Sequence, residues 1–182
     1  SISNAGMAMA AIAIGTQQAT NALFLYWILF TITNFGAFGM LWLNRGKEFK
    51  DYESPYTFVK FSGLAQISPF TASILALFLF ALSGLPPFAL FWGKMYLISS
   101  AVNSGHIALA IIMVLNSVIA AYYYLRPISY MFLRDVEQGA NTEFMQNATT
   151  PTKSIVGFAV FLTIIAYLLI DPILNIVSKL VA

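Results

Sequence analysis

The feature that most constrains this chain is a stretch of 65 residues, Phe61 to Leu125, in which Lys94 is the only formal charge. An ordinary soluble domain carries about one charged residue in four, whereas 9% of this 182-residue chain is charged and 59% is hydrophobic. Most other charges gather between Arg45 and Lys60 and between Arg134 and Lys153. Apolar stretches separated by charged loops are typical of membrane spans, so a water-soluble globule is excluded.

Composition also limits the chemistry of the chain. It has no cysteine, and His106 is its only histidine. Disulfides, iron–sulfur clusters, thiolate metal sites and a bis-histidine haem are therefore excluded within this chain. If the protein takes part in redox chemistry, another chain holds the cofactors. A net charge of +2 does not create the basic surface that nucleic-acid binding needs, so we expect a lipid bilayer and no nucleic acid as its surroundings.

The apolar segments predict a single transmembrane domain of helices, because an open strand edge is not tolerated in lipid. The 34 residues 69–102 would form a helix of roughly 51 Å, too long for a hydrocarbon core of roughly 30 Å. The sequence Gly84-Leu85-Pro86-Pro87 divides this run into two helices. Asp171-Pro172 is expected to kink the end of the last span. The expected spans are 1–16 (a truncated helix), 21–43, 69–84, 86–103, 107–133 and 155–175.

Lys94 is the strongest candidate for a functional residue. It lies about 12 Å from either end of the fourth expected span, near the membrane midplane. A charge at that depth costs at least about 2.5–3.5 kcal/mol, so the side chain should face a protein interior or a water-filled cavity. A snorkelling lysine is the alternative, but its stem spans only about 6 Å. We therefore predict a proton relay.

Gly93, beside Lys94, predicts a discontinuous fourth helix that is interrupted near this glycine. A break there would expose backbone amides and carbonyls next to the lysine. Close helix packing is an alternative explanation for the glycine.

Further polar residues inside the spans are candidates to support a chain of water molecules. Two pairs, Thr31 with Asn34 and Asn116 with Tyr123, each share a helix face. Interhelical hydrogen bonds explain such residues equally well. His106 follows a tight turn, where it is either a water-exposed loop residue or a proton-exit group. Tyr96 completes the set of candidates.

A resemblance to a known family rests on three stretches, LSGLPPF (82–88), FWGKMYL (91–97) and LNSVIAAYYYLR (115–126), and the segments SISNAG (1–6) and NFGAF (34–38) match as well. The chain resembles the C-terminal part of the subunit N family of bacterial NADH:quinone oxidoreductase, respiratory complex I, over essentially its whole length. It departs from the family where Asn4 replaces a usual His, Leu90 a Gly and Met95 a Phe.

The resemblance implies an all-α polytopic helix bundle that forms the last six of fourteen helices in an antiporter-like fold. Lys94 would be the lysine of the proton channel, in the broken helix. The implied activity is proton translocation without redox chemistry in this chain, in the bacterial inner membrane. Flavin, iron–sulfur clusters and quinone would belong to partner subunits. The implied partners are the other membrane subunits and the N-terminal part of the same subunit, which would complete the channel.

Two other functions stay open at this stage. An Mrp-type cation/proton antiporter subunit or a membrane-bound hydrogenase subunit shares this ancestry and would carry a similar lysine. A purely structural membrane subunit is a third class, but a scaffold has no need for a charge at the midplane. The identity of the partner chains discriminates between the first two.

Overall fold

The computed structural model describes residues 2–43, 58–136 and 150–181, and all regular structure in these ranges is helical. The predicted all-α class is therefore confirmed. Most residues of the two charged loops lie outside the described ranges. The elements are α1 (Ile2–Ile14), α2 (Gln17–Leu43), a short 3-10 helix (Phe58–Phe61), α3 (Leu64–Ile67), α4 (Pro69–Ser83), α5 (Ala89–Asn103), α6 (Ile107–Leu133), α7 (Thr150–Ile165) and α8 (Ile170–Val181).

Helix α2 is the centre of the bundle. It packs against α1, α4, α5, α7 and α8, and Leu25, Tyr26 and Met40 on its surface are fully buried. Close packing at α2 depends on small residues. In a bilayer the hydrophobic effect does not favour helix–helix contacts over helix–lipid contacts, so the helices associate through close van der Waals contact, which small residues allow. Gly36 is the clearest case: a Cβ there would lie 2.1 Å from the ring of Phe78 on α4.

The junction of α1 and α2 is tighter than the sequence suggested. Helix α1 ends before Gly15, which adopts a left-handed conformation with φ 66°. Helix α2 begins at Gln17 instead of the expected residue 21. The reason is Thr16, whose Oγ1 accepts a hydrogen bond of 3.3 Å from the backbone N–H of Ala19, as an N-capping side chain does.

Helices α4 and α5 run end to end in one direction along α2. Each has 15 residues and is roughly 22 Å long, while the 27-residue α2 is roughly 40 Å long. As the chain advances through α4 and α5, its contacts move steadily from the C-terminal part of α2 to its N-terminus. The sequence had suggested two separate spans. The contacts, in order, are Phe78 with Gly36, Gly93 with Tyr26, and Asn103 with Gln18.

The last two helices also differ from the expected single span with a kink at Asp171-Pro172. Helices α7 and α8 are separate and meet at an angle of 87°, and the bend precedes Asp171. Pro172 lies in the first turn of α8, where a missing backbone N–H costs no helical hydrogen bond, so the proline starts a helix instead of bending one.

Two helices, α2 and α6, are long and apolar enough to cross a membrane by themselves. The bent pair α7 and α8 would form a third span if the two are taken together, and α1 and α4 are shorter apolar helices. Helix α6 has the predicted bounds and continues through Pro127.

Candidate functional site

The candidate site lies at the junction between α4 and α5. Lys94, on α5, is 3% exposed, and its Nζ donates a hydrogen bond of 3.0 Å to the backbone carbonyl of Ser83, the last residue of α4. Gly84 caps α4 with φ 75°. A Cβ at this glycine would lie 2.7 Å from the Lys94 Nζ, so the lysine packs directly on the broken backbone.

The junction is electrostatically suited to a cation. The last carbonyls of a helix have no intrahelical partner and carry the negative end of the helix dipole. The Lys94 ammonium satisfies one of these carbonyls at the end of α4. Within the described ranges, no carboxylate forms an ion pair with Lys94. Among the residues that the structure describes, the lysine is therefore held by backbone dipoles and not by an acidic side chain.

The predicted interruption near Gly93 is wrong. Helix α5 is continuous from Ala89 to Asn103, and the break lies earlier, at residues 84–88. Gly93 instead allows close packing, because a Cβ there would lie 3.3 Å from the Tyr26 Cα on α2. The discontinuity next to Lys94 exists, but it comes from the Gly84 cap and the two prolines, and the long lysine side chain reaches back to it.

A cavity of about 200 Å³ lies beside Lys94, between α4, α5 and α6. Most of its lining is apolar, as Phe91 and Val118 illustrate. The polar groups at this cavity come from Ser83, Lys94 and Ser117. Ser117 Oγ donates to the Met113 carbonyl, so its oxygen lone pairs remain available to a water molecule.

The structure does not bring most of the other predicted residues to Lys94. Asn116 exchanges two hydrogen bonds with Ser3 on α1, of 3.2 Å and 3.4 Å, so it has an interhelical role. Tyr123 is 62% exposed and Thr31 is also exposed, while Asn34 is half-buried. The two pairs that share a helix face thus form no common lining with Lys94.

Tyr96 and His106 lie elsewhere in the bundle. Tyr96 is half-buried and lines a cavity near the start of α2, together with Gln17 and Gln18. His106 is exposed and precedes the first residue of α6. Both residues therefore lie toward the end of the bundle where α2 begins.

Sequence reasoning missed a buried polar cluster between α1, α2 and α6. Asn4 is 2% exposed and its Nδ2 donates a hydrogen bond of 3.2 Å to the Tyr124 hydroxyl. Tyr26 is fully buried and within electrostatic reach of Tyr124. Neither Asn4 Oδ1 nor the Tyr26 hydroxyl has a hydrogen-bond partner in the described part of the chain. The available signal was Asn4 itself, an amide inside a largely apolar helix.

Gly84→Ala tests whether the cap positions Lys94. The new Cβ would collide with the lysine in addition to straining a backbone at φ 75°, so we expect loss of the hydrogen bond between Lys94 and the Ser83 carbonyl, seen in a structure of the variant, and a loss of about 1–2 kcal/mol in stability. Gly105→Ala is the matched control, because Gly105 also has a positive φ of 77° but a Cβ there meets nothing within 4 Å. Equal loss of stability in the two variants would mean that Gly84 matters only for backbone strain.

Comparison with known proteins gives concordant matches. A family model described as NADH:quinone oxidoreductase/Mrp antiporter, TM, matches residues 1–120. The chain is 51% identical to NADH-quinone oxidoreductase subunit N of Sulfurimonas denitrificans, with 100% of this chain and 36% of that protein covered. It is 44% identical to the same subunit of a Sulfurovum species, with 100% of this chain and 37% of that protein covered.

A solved structure shares the fold. Respiratory complex I from Thermus thermophilus with bound aureothin includes a chain that matches with a TM-score of 0.68 at 19% identity. The match covers 95% of this chain and 43% of that one. This chain spans little more than a third of the length of the curated relatives it matches.

Proposed function

Because this chain belongs to the NADH:quinone oxidoreductase/Mrp antiporter transmembrane family, we propose that it is part of a proton-translocating membrane subunit of an NADH:quinone oxidoreductase. The chain itself would carry out no redox chemistry. Relatives named NADH-quinone oxidoreductase subunit N, at 51% and 44% identity, support this assignment. The apolar helices and the transmembrane family support an integral membrane protein of the bacterial inner membrane.

One observation carries the proposal of a proton relay: Lys94 is buried and bonded to the free carbonyl end of α4. Burial without a carboxylate partner in the described part of the chain disfavours an ammonium, while the dipole at the end of α4 favours it. These two influences oppose each other, so burial alone does not fix the protonation state of the side chain. Ionisable residues inside the membrane are costly and rare, and they mark ion and proton pathways. We therefore assign Lys94 a role in transport.

In the proposed step, the Lys94 ammonium gives one proton to a water molecule in the adjacent cavity and becomes a neutral amine. It later takes one proton from water on the other side of the junction and is restored. The Ser83 carbonyl holds the ammonium form, and the Ser117 hydroxyl orients the accepting water. No bond other than N–H and O–H forms or breaks in this cycle.

We propose that α4 and α5 form one broken crossing of the membrane. Their contacts follow α2 from its C-terminal part to its N-terminus without reversal, with the junction at residues 84–88 in between. A discontinuous helix is tolerated at membrane depth when its free backbone groups line a cavity or bind an ion. Lys94 supplies that partner here.

The remaining predicted residues have secondary parts in this proposal. Gly93 brings α5 close to α2, and Asn116 fixes α1 to α6. Tyr96 and His106 would serve proton exchange with water where α2 begins. Thr31, Asn34 and Tyr123 would contact lipid or other chains, because they do not face Lys94.

The rest of the complex would supply the redox cofactors, the quinone site and the other half of the channel. Flavin, iron–sulfur clusters and the quinone site would lie in other subunits. The remaining part of the same subunit would provide the other half of the channel. The other membrane subunits would cover faces that are exposed here, such as the one that includes Trp42 and Phe38.

A second candidate is a subunit of an Mrp-type antiporter or a membrane-bound hydrogenase, because the matching family model spans oxidoreductase and antiporter proteins. The identity to relatives named subunit N favours the oxidoreductase. Affinity purification of the full-length tagged protein from its native membrane discriminates between them. Co-purification of flavin and iron–sulfur subunits supports our proposal, and recovery of only cation-antiporter subunits contradicts it.

The relay itself is tested by the number of protons translocated per NADH oxidised in sealed membrane vesicles. Substitution of Lys94 should lower this ratio or stop coupled turnover. An unchanged ratio in an assembled complex that lacks the lysine would refute the relay.

A further inference from the structure

Basic and aromatic side chains meet at the C-terminal end of α6. The rings of Phe58, on the 3-10 helix, and Tyr130, on α6, pack with their centroids 5.6 Å apart. The Arg126 guanidinium lies over the Phe58 ring at 4.9 Å from its centroid, and the Arg134 guanidinium lies over the Tyr130 ring at 4.0 Å. Lys60, on the same 3-10 helix as Phe58, is half-buried. Three basic residues therefore lie on the segments that carry this aromatic pair.

Acidic side chains do not balance these cations in the described part of the chain. Asp135 and Asp171 are the acidic residues there, and Asp171 lies in the first turn of α8. Asp135, next to Arg134, accepts a hydrogen bond of 3.1 Å from Gln66 Nε2. Within the described ranges, this end of α6 thus carries an excess of positive charge.

Arg126 is the member of the cluster that is placed to bind a ligand. Its side chain is exposed, and no carboxylate among the described residues forms an ion pair with it. The contact with Phe58 is made to the face of an aromatic ring, so it satisfies none of the guanidinium N–H donors with a conventional hydrogen bond. A guanidinium with free donors binds a phosphate through two parallel hydrogen bonds.

An exposed, mostly apolar stripe of α6 begins at Arg126 and runs away from this end. Leu115, Ile119, Tyr122 and Arg126 are separated by four, three and four residues, so they share one helix face. Leu115 and Ile119 are each 58% exposed, and Tyr122 is 62% exposed. The stripe is roughly 16 Å long, about half of a hydrocarbon core of roughly 30 Å. It therefore matches the acyl layer of one membrane leaflet.

The position of Arg126 along α6 places its guanidinium at the level of the lipid headgroups. Helix α6 has 27 residues and is roughly 40 Å long, so it is longer than the hydrocarbon core. Arg126 lies roughly 10 Å before the end of the helix. Its long side chain reaches toward that end, where Phe58 packs on Tyr130, as a snorkelling arginine does. A cation near water with an apolar stripe beneath it matches the two parts of a phospholipid.

We propose that the face of α6 from Leu115 to Arg126 binds one anionic phospholipid, phosphatidylglycerol. Its phosphate accepts hydrogen bonds from the Arg126 guanidinium, and one acyl chain lies along Ile119 and Leu115. Charge selects the headgroup, because clusters of lysine and arginine beside a membrane span attract anionic lipids. The headgroup of phosphatidylethanolamine would bring a further ammonium next to Lys60 and Arg134, so it binds less well. Lys94 takes no part in this surface, so the lipid site and the proton relay stand or fall separately.

The test is photo-crosslinking in the intact membrane complex that contains this chain, reconstituted into vesicles of unlabelled phosphatidylcholine. The probes are phosphatidylglycerol and phosphatidylethanolamine, each with a diazirine in one acyl chain and each used in a separate sample. After peptide mapping, we expect phosphatidylglycerol to label residues 115–126 several-fold more strongly than phosphatidylethanolamine does. Excess unlabelled phosphatidylglycerol should reduce this labelling.

Two variants test how the headgroup is held. Arg126→Gln removes the charge but keeps a long polar side chain, and it should lower labelling by phosphatidylglycerol roughly fivefold, as expected for loss of one cation near the membrane surface. Phe58→Leu removes the ring that positions the guanidinium and should cause a smaller decrease. Lys153→Gln is the matched control, because it removes another exposed cation, at the start of α7, and it should leave labelling of α6 unchanged.

Three results would overturn the proposal. They are equal labelling of α6 by the two lipids, unchanged labelling by phosphatidylglycerol in the Arg126→Gln variant, and absence of lipid label on α6 in the wild-type complex, which would mean that another protein chain covers this face. If Arg126→Gln prevents assembly, the comparison of the two lipids on the wild-type complex and the Phe58→Leu variant decide the question.

Discussion

Lys94→Ala is expected to remove proton pumping through this subunit while the complex still assembles. A positioned proton-transfer group accelerates its step by roughly 10²–10⁴-fold, so its loss should stop coupled turnover along this path. The α5 helix should persist, because alanine is a strong helix former and no acidic partner among the described residues is left with an unpaired charge. The Ser83 carbonyl loses its ammonium partner, and the adjacent cavity of about 200 Å³ has room for a water molecule that would replace it. The measurements are proton uptake by sealed vesicles, NADH oxidation and the amount of assembled complex.

Lys94→Arg separates a relay from a fixed charge. Arginine keeps a positive charge at the end of α4 but cannot release its proton at any accessible pH, so pumping should be nearly as low as in the alanine variant. Lys153→Ala, which removes an exposed lysine at the start of α7, is the control and should pump normally. Full pumping by the arginine variant would show that Lys94 acts as a structural cation.

Gly36→Ala is expected to lower the stability of the described bundle. The added Cβ would lie 2.1 Å from Phe78 Cε1, and the Phe78 side chain is fully buried, so it cannot turn away without disturbing the core. Overpacking of this kind typically costs about 1–3 kcal/mol. Thermal denaturation of the purified complex and its steady-state amount in the membrane should both decrease.

A second substitution identifies the cause of that loss. Phe78→Leu removes the atoms nearest to the new Cβ, so it should partly restore stability in the Gly36→Ala background although it is destabilising alone. Gly157→Ala on α7 is the control, since a Cβ there meets nothing within 4 Å. Additive losses in the double variant would contradict direct contact as the cause.

Several elements were predictable because their signals are local. A long apolar stretch in lipid must form hydrogen bonds among its own backbone N–H and C=O groups, and a helix achieves this. The bounds of α6 match the prediction for this reason. The start of α4 follows from Ser68 and Pro69, since proline is suited to the first helical turn. Lys94 was identifiable from a single sequence, because it is the only charged residue in a stretch of 65 residues.

Other predictions failed where two segments far apart in sequence determine the outcome. Gly93 predicts a break in the helix, but in the structure it is a point of close contact with Tyr26 on α2. A glycine that breaks a helix and a glycine that permits close packing look the same in sequence. Asp171-Pro172 was interpreted as a kink, but the proline lies in the first turn of a new helix.

The sequence by itself determined that the chain is helical and membrane-embedded, and that Lys94 is its central functional candidate. Each of these conclusions depends on the hydropathy or charge of single residues in lipid or water, which can be read without knowing which helices are neighbours. Only the tertiary structure decided that α4 and α5 follow α2 end to end, that Lys94 reaches back to the Ser83 carbonyl, and that Asn116 bonds to Ser3. These facts depend on which helix faces meet. Helix faces in a bilayer are chosen by packing between distant segments, and the apolar composition of the chain gives almost no preference among them.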